Sequence, residues 1–316
     1  MSDQTAPTRR PRIGVVGSNN VDLITYIDRM PDPGETLAAP SFSMGFGGKG
    51  SNQAVACARL GCDVVMVARI GDDLFGPMVV ANMAEAGVDV THCRVAPGTP
   101  SGVAPIFVDG SGENAILIVA GANGQLSPAD VDDAADALAR CDLILLQLEV
   151  PLETVFHTVA WAAAKGIPTV LNPAPALPSL DLSRFAGLTW LTPNQGELAM
   201  LTGLPTETED EIAAAVRVLM DHGVGQVVVT LGGRGARLFD RNGVTQIDPV
   251  AVDPVDTTGA GDAFIGCFAT HLAFGLGAPD ALVEAARYAA LSITQRGTQT
   301  SYATPAEFAA FKDTFA

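Results

Sequence analysis

At 316 residues, the chain is long enough to bury a full hydrophobic core in one large α/β domain or two smaller ones. Its 18 Lys and Arg against 35 Asp and Glu leave a formal charge of −17, which argues against nucleic-acid or anionic-membrane partners. A phosphate-bearing ligand would therefore need a local site made of helix N-termini, a few basic side chains and bound cations.

The cysteines and histidines predict neither disulfides nor a zinc site. The five Cys form no C-x-x-C pair and lie mostly in apolar runs, so we expect buried, reduced thiols. The four His are scattered, and none pairs with another at a metal-ligand spacing.

The N-terminus predicts a flexible tail over residues 1–11, followed by a single domain over residues 12–316. The tail is polar and lacks the apolar segment of a signal peptide. No uncharged apolar run of 18 residues follows, so we expect a soluble, cytoplasmic protein with no membrane partner.

The first apolar run, Ile13–Gly17, predicts a buried strand that delivers polar groups at its carboxyl end. Asn20 and Asp22 follow it at a spacing of two, so both point the same way in an extended chain. An amide and a carboxylate on one face suit the recognition of vicinal hydroxyls. The alternative is a pair of Asx turns without a ligand.

Two segments, at about 23–46 and 102–120, consist of short β-like pieces and turns without a helical period. In the second, apolar pieces flank Asp109–Gly112, which predicts a hairpin. We expect a small β-sheet lid over a ligand site. A hairpin at a sheet edge is the alternative.

Between these segments, Gly45, Gly47 and Gly50 formally match the dinucleotide-binding pattern G-x-G-x-x-G. That fingerprint should follow the first strand, which it does not, and a Walker A loop fails because Lys49 precedes Gly50 instead of Ser or Thr. What remains is a glycine-rich loop that can approach a ligand, with Lys49 and Asn52 as hydrogen-bonding groups. A helix follows over Gln53–Leu60.

The middle of the chain alternates between strands and helices, which predicts an α/β fold with a central, mainly parallel sheet flanked by helices. The predicted strands are Val64–Ile70, Leu143–Leu146 and Pro168–Leu171, and the predicted helices are Leu74–Ala86 and Leu152–Ala164. Polar residues follow two of these strands, at Gln147–Glu149 and Asn172–Pro175. They should open on the same ligand-bearing edge.

Two later strand ends carry further candidate residues. After Trp190–Leu191, Asn194 and Glu197 stand three residues apart, which suits a hydrated Mg²⁺ but equally an N-terminal capping box, and spacing alone favours the cap. The strand Val227–Thr230 runs into glycine-rich residues 232–235, which can approach a phosphate or a ribose closely.

The segment Asp256–Phe264 turns directly into an apolar helix and predicts phosphoryl-transfer chemistry. Backbone N–H groups at Gly259, Ala260 and Gly261 can close on a phosphate at the helix start. Asp262 would then accept the proton of an attacking hydroxyl. A glycine-rich helix cap with a first-turn acid is the alternative. A final long helix is predicted at about Ala278–Gln295.

Four motifs taken together resemble the ribokinase (PfkB) family of carbohydrate kinases. They occur in order within about residues 12–310 and comprise Gly47–Ala54, the pair Asn194 and Glu197, Thr230–Gly235, and Asp256–Asp262.

The resemblance implies ATP-dependent phosphorylation of the 5-hydroxyl of D-ribose, with Asp262 as base and Gly259, Ala260 and Gly261 as anion hole. It assigns ribose contacts to Asn20, Asp22, Gly48, Lys49, Asn52, Glu149 and Asp262, and nucleotide contacts to Asn194, Thr230, Gly232, Gly235 and Gly261. Glu197 would hold Mg²⁺ through water, and a K⁺ ion would lie at Asp256, Thr258, Ser292, Gly297 and Ser301. A homodimer formed through the lid sheet is also implied.

Departures from the family pattern are Ser51 in place of the commoner Ala, Gln195-Gly196 inside the Asn…Glu motif, and Thr258-Gly259 in place of an Ile-Ala pair. A kinase for a nucleoside or another sugar is one alternative. A sugar-binding or regulatory protein without catalytic activity is another, although Asp262, Lys49 and Glu197 are all present.

Overall fold

The computed structural model describes residues 9–110, 114–178 and 180–314. The strands are β1 (Arg12–Val16), β2 (Asn20–Tyr26), β3 (Ser41–Gly47), β4 (Asp63–Gly71), β5 (Val88–Ala96), β6 (Val103–Val108), β7 (Asn114–Ile116), β8 (Leu143–Gln147), β9 (Thr169–Asn172), β10 (Trp190–Leu191), β11 (Gln226–Thr230), β12 (Ala236–Asp240) and β13 (Gly243–Ile247). The α-helices are α1 (Lys49–Arg59), α2 (Phe75–Glu85), α3 (Pro128–Asp133), α4 (Ala135–Leu138), α5 (Leu152–Lys165), α6 (Gln195–Thr202), α7 (Glu209–Asp221), α8 (Ala260–Ala273), α9 (Ala278–Ser292) and α10 (Pro305–Asp313).

Nine strands form a large sheet in the order β13-β12-β11-β10-β9-β8-β1-β4-β5. Pairing is parallel from β11 to β5, and the pairings of β12 with β11 and with β13 are antiparallel. The chain starts in the middle at β1, goes to β4 and β5 on one side, and returns to β8 on the other. The carboxyl ends of β1 and β8 therefore form a switch point, where open α/β sheets bind their ligands.

Helices cover both faces of this sheet, so its central strands are apolar throughout. Every residue of β8 and β9 is buried. Alternate side chains of β1 enter opposite cores: Ile13 and Val15 pack in the cluster that includes α1, α8 and α9, and Val16 packs in the cluster that includes α5, α6 and α7. The predicted mainly parallel α/β fold is confirmed.

The predicted second sheet is also present, in the order β3-β2-β6-β7. Its strands extend beyond the expected segments, since β2 already starts at Asn20 and β3 ends at Gly47. Asn20 and Asp22 follow β1 in an extended strand, as predicted, but they already belong to the small sheet, which was expected to start at about residue 23. The register pairs Asp22 with Gly45 and with Ala104.

Residues 1–8 of the predicted tail, residues 111 and 112 of the predicted hairpin turn, and residue 113 after it lie outside the described residues. The described part of the tail contains Arg9, whose guanidinium donates two hydrogen bonds to Asp142 at 2.6 and 3.0 Å. Within the described residues, no helix is both long and apolar enough to cross a membrane. All five Cys are free thiols, and four of them are buried.

Candidate active site

The ends of β1 and β8 meet through a hydrogen-bonded cluster at the switch point. Ser18 Oγ donates to Glu149 Oε2 at 2.5 Å, and Glu149 Oε2 also accepts the backbone N–H of Lys49 at 2.9 Å. The N–H of Gly50 donates to Ser18 Oγ at 3.2 Å. A Cβ at Gly50 would lie 2.6 Å from the backbone of Ser18, so only glycine permits this approach.

The predicted glycine-rich loop is shorter than expected, because α1 begins at Lys49 and not at Gln53. Gly48 caps the helix with a φ of +88°, in the left-handed region, and a Cβ there would lie 2.7 Å from Asn19. Lys49 and Asn52 therefore lie in the first turn of a helix, with fixed positions.

Asp262 lies in the first turn of α8, after Gly259, whose φ of +78° starts the helix. Helix α8 crosses α1 closely because Gly266 leaves room for Ala56; a Cβ at Gly266 would lie 2.6 Å from the Cβ of Ala56. This contact brings the first turns of the two helices together around the Asp262 carboxylate.

The Asp262 carboxylate is buried and receives one amide donor on each oxygen. Asn52 Nδ2 donates to Oδ2 at 2.9 Å, and Gln53 Nε2 donates to Oδ1 at 3.0 Å. Gly261 has open space around its Cα, so a ligand can approach the start of the helix there. The carboxylate thus has a fixed orientation beside an accessible helix N-terminus.

The site concentrates negative charge around one lysine. Burial, followed by the charges of Glu149 and Asp262, raises the pKa of Asp22 to about 6. Burial lowers the pKa of Lys49, but the charges of Asp262, Glu149 and Glu197 outweigh it and keep that pKa above its ordinary value. Lys49 is therefore a permanent cation among carboxylates.

Asn194 and Glu197 form the capping box of α6 that the spacing favoured. Asn194 Oδ1 accepts the N–H of Glu197, and Glu197 Oε2 accepts the N–H of Asn194, both at 2.8 Å. Burial is the main effect that raises the pKa of Glu197. The charge of Lys49 lowers that pKa and the charge of Asp262 raises it, so Glu197 lies within electrostatic range of the cluster. One residue pair therefore caps a helix and faces the charged site.

The glycine turn after β11 adjoins this capping box. Asn194 forms a β-bridge with Thr230, whose N–H donates to the carbonyl of Pro193 at 3.0 Å. Gly232 and Gly235 both have a positive φ, and the space around Gly232 is open. The backbone is therefore open at Gly232, whereas Gly235 is crowded, since a Cβ there would overlap the carbonyl oxygen of Ile247.

The predicted cation residues gather where the segments around 256 and 297 meet. Asp256 accepts the N–H groups of Thr258 and Gly297, each at 2.9 Å. The carbonyl of Ile293, next to Ser292, accepts the N–H of Asp256 at 3.2 Å. Ser292 and Ser301 are both buried, and their hydroxyls donate to the carbonyls of Ala289 and Thr298.

Three buried amides that hold this site together are absent from the sequence-based predictions. Gln53 binds Asp262, and Asn123 and Gln299 each contact predicted residues far away in the chain. Asn123 Nδ2 donates to Asn20 Oδ1 at 2.8 Å, which turns the Asn20 NH₂ group away from Asn123. The position of Gln53 next to the predicted residue Asn52 could have indicated its role. For Asn123 and Gln299, the neighbouring sequence contains no such indication.

A cleft of about 1280 Å³ lies between the small sheet and the loops at 254–258 and 296–300. Its walls include Asp22 and Ile24 of β2 and Thr257 of the opposite loop. Of the residues predicted to contact the sugar, Asp22 lines this cleft.

A family model described as the pfkB family carbohydrate kinase matches residues 10–305. The chain belongs to the pfkB family of carbohydrate kinases. The family resemblance of the four motifs is thus confirmed, and with it the general activity of a sugar kinase.

Individual relatives differ in the sugar that they are named for. The chain is 48% identical to a deoxyribokinase of Salmonella typhi, over 94% of this chain and 97% of that one. It is 36% identical to a ribokinase of Haemophilus influenzae over the same shares. Among solved structures, Arabidopsis thaliana ribokinase complexed with ribose and ATP aligns with a TM-score of 0.89 at 32% identity, covering 96% of this chain and 99% of that one.

Proposed function

We propose that this kinase transfers the γ-phosphoryl group of ATP to the 5-hydroxyl of D-ribose, giving D-ribose 5-phosphate and ADP. The observation that carries the proposal is the buried Asp262, fixed on both oxygens at the open N-terminus of α8. A carboxylate there is placed to accept the proton of the attacking hydroxyl. The N–H groups of Gly259, Ala260 and Gly261 would receive the transferring phosphoryl charge.

The sugar would lie against the small sheet, which acts as a lid. Asn20 has its carbonyl oxygen held by Asn123 and offers an N–H donor, while Asp22 offers an acceptor on the same face of β2. A vicinal diol satisfies a donor and an acceptor so placed. We assign further sugar contacts to Gly48, Lys49, Asn52 and Glu149, which surround the switch point.

ATP would lie along Asn194, Thr230, Gly232 and Gly235 and reach Gly261 with its phosphates. This placement is supported by the open backbone at Gly232 and by the ATP complex of the Arabidopsis relative. A carboxylate and an amide oxygen suit a Mg²⁺ ion that keeps most of its waters, so Glu197 and Asn194 would hold it; when bound, it neutralises phosphate charge. Lys49 adds a fixed positive charge.

For K⁺, we propose the loop that surrounds Asp256. Oxygen ligands would come from the Asp256 carboxylate, which binds the N–H groups of Thr258 and Gly297, from the carbonyls of those two residues, and from the hydroxyls of Ser292 and Ser301. A cation there would support the anion hole electrostatically. Turnover should fall when K⁺ is replaced by a large organic cation.

2-Deoxy-D-ribose is the second candidate substrate, because the chain is 48% identical to a deoxyribokinase. The Asn20 and Asp22 arrangement favours ribose, since a sugar without one hydroxyl leaves a buried polar group unpaired.

A homodimer formed through the lid sheet is also part of the proposal. It is supported by the exposed apolar side chains of Phe42 and Met44 in β3. Sedimentation velocity measures the oligomeric state directly.

The test is kcat/KM for D-ribose, 2-deoxy-D-ribose, adenosine and D-fructose in a coupled ADP-release assay. We expect D-ribose to exceed the others by about tenfold or more, the scale of one lost hydrogen-bonding group. Asn20→Leu should lower kcat/KM for ribose more than for 2-deoxyribose, because only ribose has both hydroxyls. A higher value for deoxyribose, adenosine or fructose would overturn the ribose assignment.

A further inference from the structure

Asp262 is the end point of two chains of buried side-chain amides that reach it from opposite sides. One runs from Asn82 of α2 through Gln299 to Asn52, and the other from Gln147 of β8 to Gln53. Asn82 is partly buried and the other four amides are buried. Buried amides are costly unless paired, so their convergence on one carboxylate requires a reason.

Each chain is ordered from donor to acceptor. Asn82 Nδ2 donates to Gln299 Oε1 at 2.7 Å, Gln299 Nε2 donates to Asn52 Oδ1 at 2.9 Å, and Asn52 Nδ2 donates to Asp262 Oδ2 at 2.9 Å. In the second chain, Gln147 Nε2 donates to Gln53 Oε1 at 2.6 Å and Gln53 Nε2 donates to Asp262 Oδ1 at 3.0 Å.

Gln299 sets the direction of the first chain, because its Oε1 accepts from Asn82 and its Nε2 therefore faces Asn52. An amide has one end that donates and one that accepts, so Gln299 dictates which end of Asn52 faces Asp262. With Gln299 donating to Asn52 Oδ1, Asn52 must present its NH₂ group to the carboxylate. If Gln299 could only accept, Asn52 would turn over and place its oxygen against the negative charge of Asp262.

We propose that Gln299 is a positioning residue for the phosphoryl-transfer step, acting through the amide orientation of Asn52, with Gln53 as its counterpart on the other oxygen. This inference rests on the proposed role of Asp262 as the base. Within the described residues, the side chain of Gln299 is hydrogen-bonded to Asn82, Ser51 and Asn52 and makes no hydrogen bond to Asp262. Its hydrogen bond to Ser51 Oγ, at 3.2 Å, fixes it against the first turn of α1.

The amide chain accounts for the placement of Gln299 in the loop Arg296–Ser301. This loop is joined to Asp256 by the N–H of Gly297 and contacts α8 through Tyr302, whose hydroxyl donates to the carbonyl of Gly259 at 3.1 Å. From this loop, the buried side chain of Gln299 contacts α1 through Ser51 and Asn52. The loop thereby sets both the start of α8 and the orientation of the carboxylate in that helix.

The experiment compares Gln299→Met and Gln299→Glu in the full chain, measuring kcat, KM for D-ribose and the free energy of unfolding. Met removes the donor at similar volume, whereas Glu replaces the donor with an acceptor and forces Asn52 to turn over. We expect kcat to fall about tenfold in Gln299→Met and about 100-fold in Gln299→Glu, the scale of a misplaced catalytic group, with a smaller change in KM for D-ribose, which Asn52 also contacts. Gln295→Met and Gln295→Glu, at an exposed position of the same segment, are the matched controls and should keep wild-type kcat.

An Asn52→Leu background tests the route of the effect. With Asn52 absent, Gln299→Met should change kcat less than twofold, because the two residues act in series. Equal kcat values in Gln299→Met, Gln299→Glu and wild type would overturn the inference, as would full additivity with Asn52→Leu. Full activity in an Asp262→Asn variant would instead show that Asp262 is not the base. Failure of the Gln299 inference and failure of the proposed function are therefore distinguishable.

Discussion

Asp22→Asn should stabilise the free protein while weakening its activity. Asp22 is partly buried beside Glu149 and Asp262, and within the described residues no donor binds its carboxylate. Its pKa is about 6 in the folded chain, against an ordinary value of 3.8. A group whose folded pKa is raised costs stability once it ionises, so the cost is absent below the lower value and complete above the higher one.

At about 1.4 kcal/mol per pKa unit, this difference amounts to about 3 kcal/mol at pH 8. Asn keeps the shape and removes the charge, so the variant should gain up to that amount in free energy of unfolding at pH 8. About half of the gain should remain at pH 5, because ionisation in the folded state is then largely suppressed.

Urea denaturation at pH 5 and pH 8 measures both values, and Asp32→Asn in an exposed turn is the control, with an expected change under about 0.5 kcal/mol. Sugar affinity should fall in Asp22→Asn at both pH values. An unchanged free energy of unfolding at pH 8, or an equal gain at the two pH values, would refute the electrostatic reasoning.

Three further predictions concern the surrounding residues. Gly259→Ala should lower the melting temperature, because its φ is +78° and a Cβ would overlap Thr298, whereas Gly261→Ala should keep the melting temperature and raise KM for ATP, because its Cβ would enter open space at the anion site. Asp256→Asn should lose about 1–2 kcal/mol of stability at pH 7 and most of the K⁺ response, and the loss should shrink in acid: burial raises the pKa of Asp256, but two N–H donors outweigh it and leave that pKa low. Lys49→Met should lower kcat about 100-fold, since the site loses the positive charge that interacts with Asp262, Glu149 and Glu197.

The sequence predicts those parts of the fold that have a local pattern. Buried strands followed by polar residues, at Ile13–Gly17 and Leu143–Leu146, mark the switch point because central strands need apolar side chains on both faces. Strands β5 and β13 were missed because they lie at the two edges of the large sheet, where most side chains of β13 are exposed and the apolar run is lost. Helix α7 was missed although Thr208 and Glu211 form its capping box.

The candidate site divides in the same way. The sequence identifies Gly48, Lys49 and Asp262 as candidate site residues, because each lies in a short segment where glycines stand next to a charged residue. The roles of Asn123 and Gln299 depend on partners 103 and 247 residues away, which no local pattern contains. Ser292 was expected inside a helix ending at about Gln295; α9 ends at Ser292 itself, and the next residue, Ile293, accepts the N–H of Asp256.

The central claim is that Asp262 accepts the proton of the sugar hydroxyl. The most direct measurement is kcat of Asp262→Asn with D-ribose and ATP, together with the ribose dissociation constant from calorimetry. We predict a loss of kcat of about 10²–10⁴-fold, with ribose binding retained. Wild-type kcat in this variant would contradict the account.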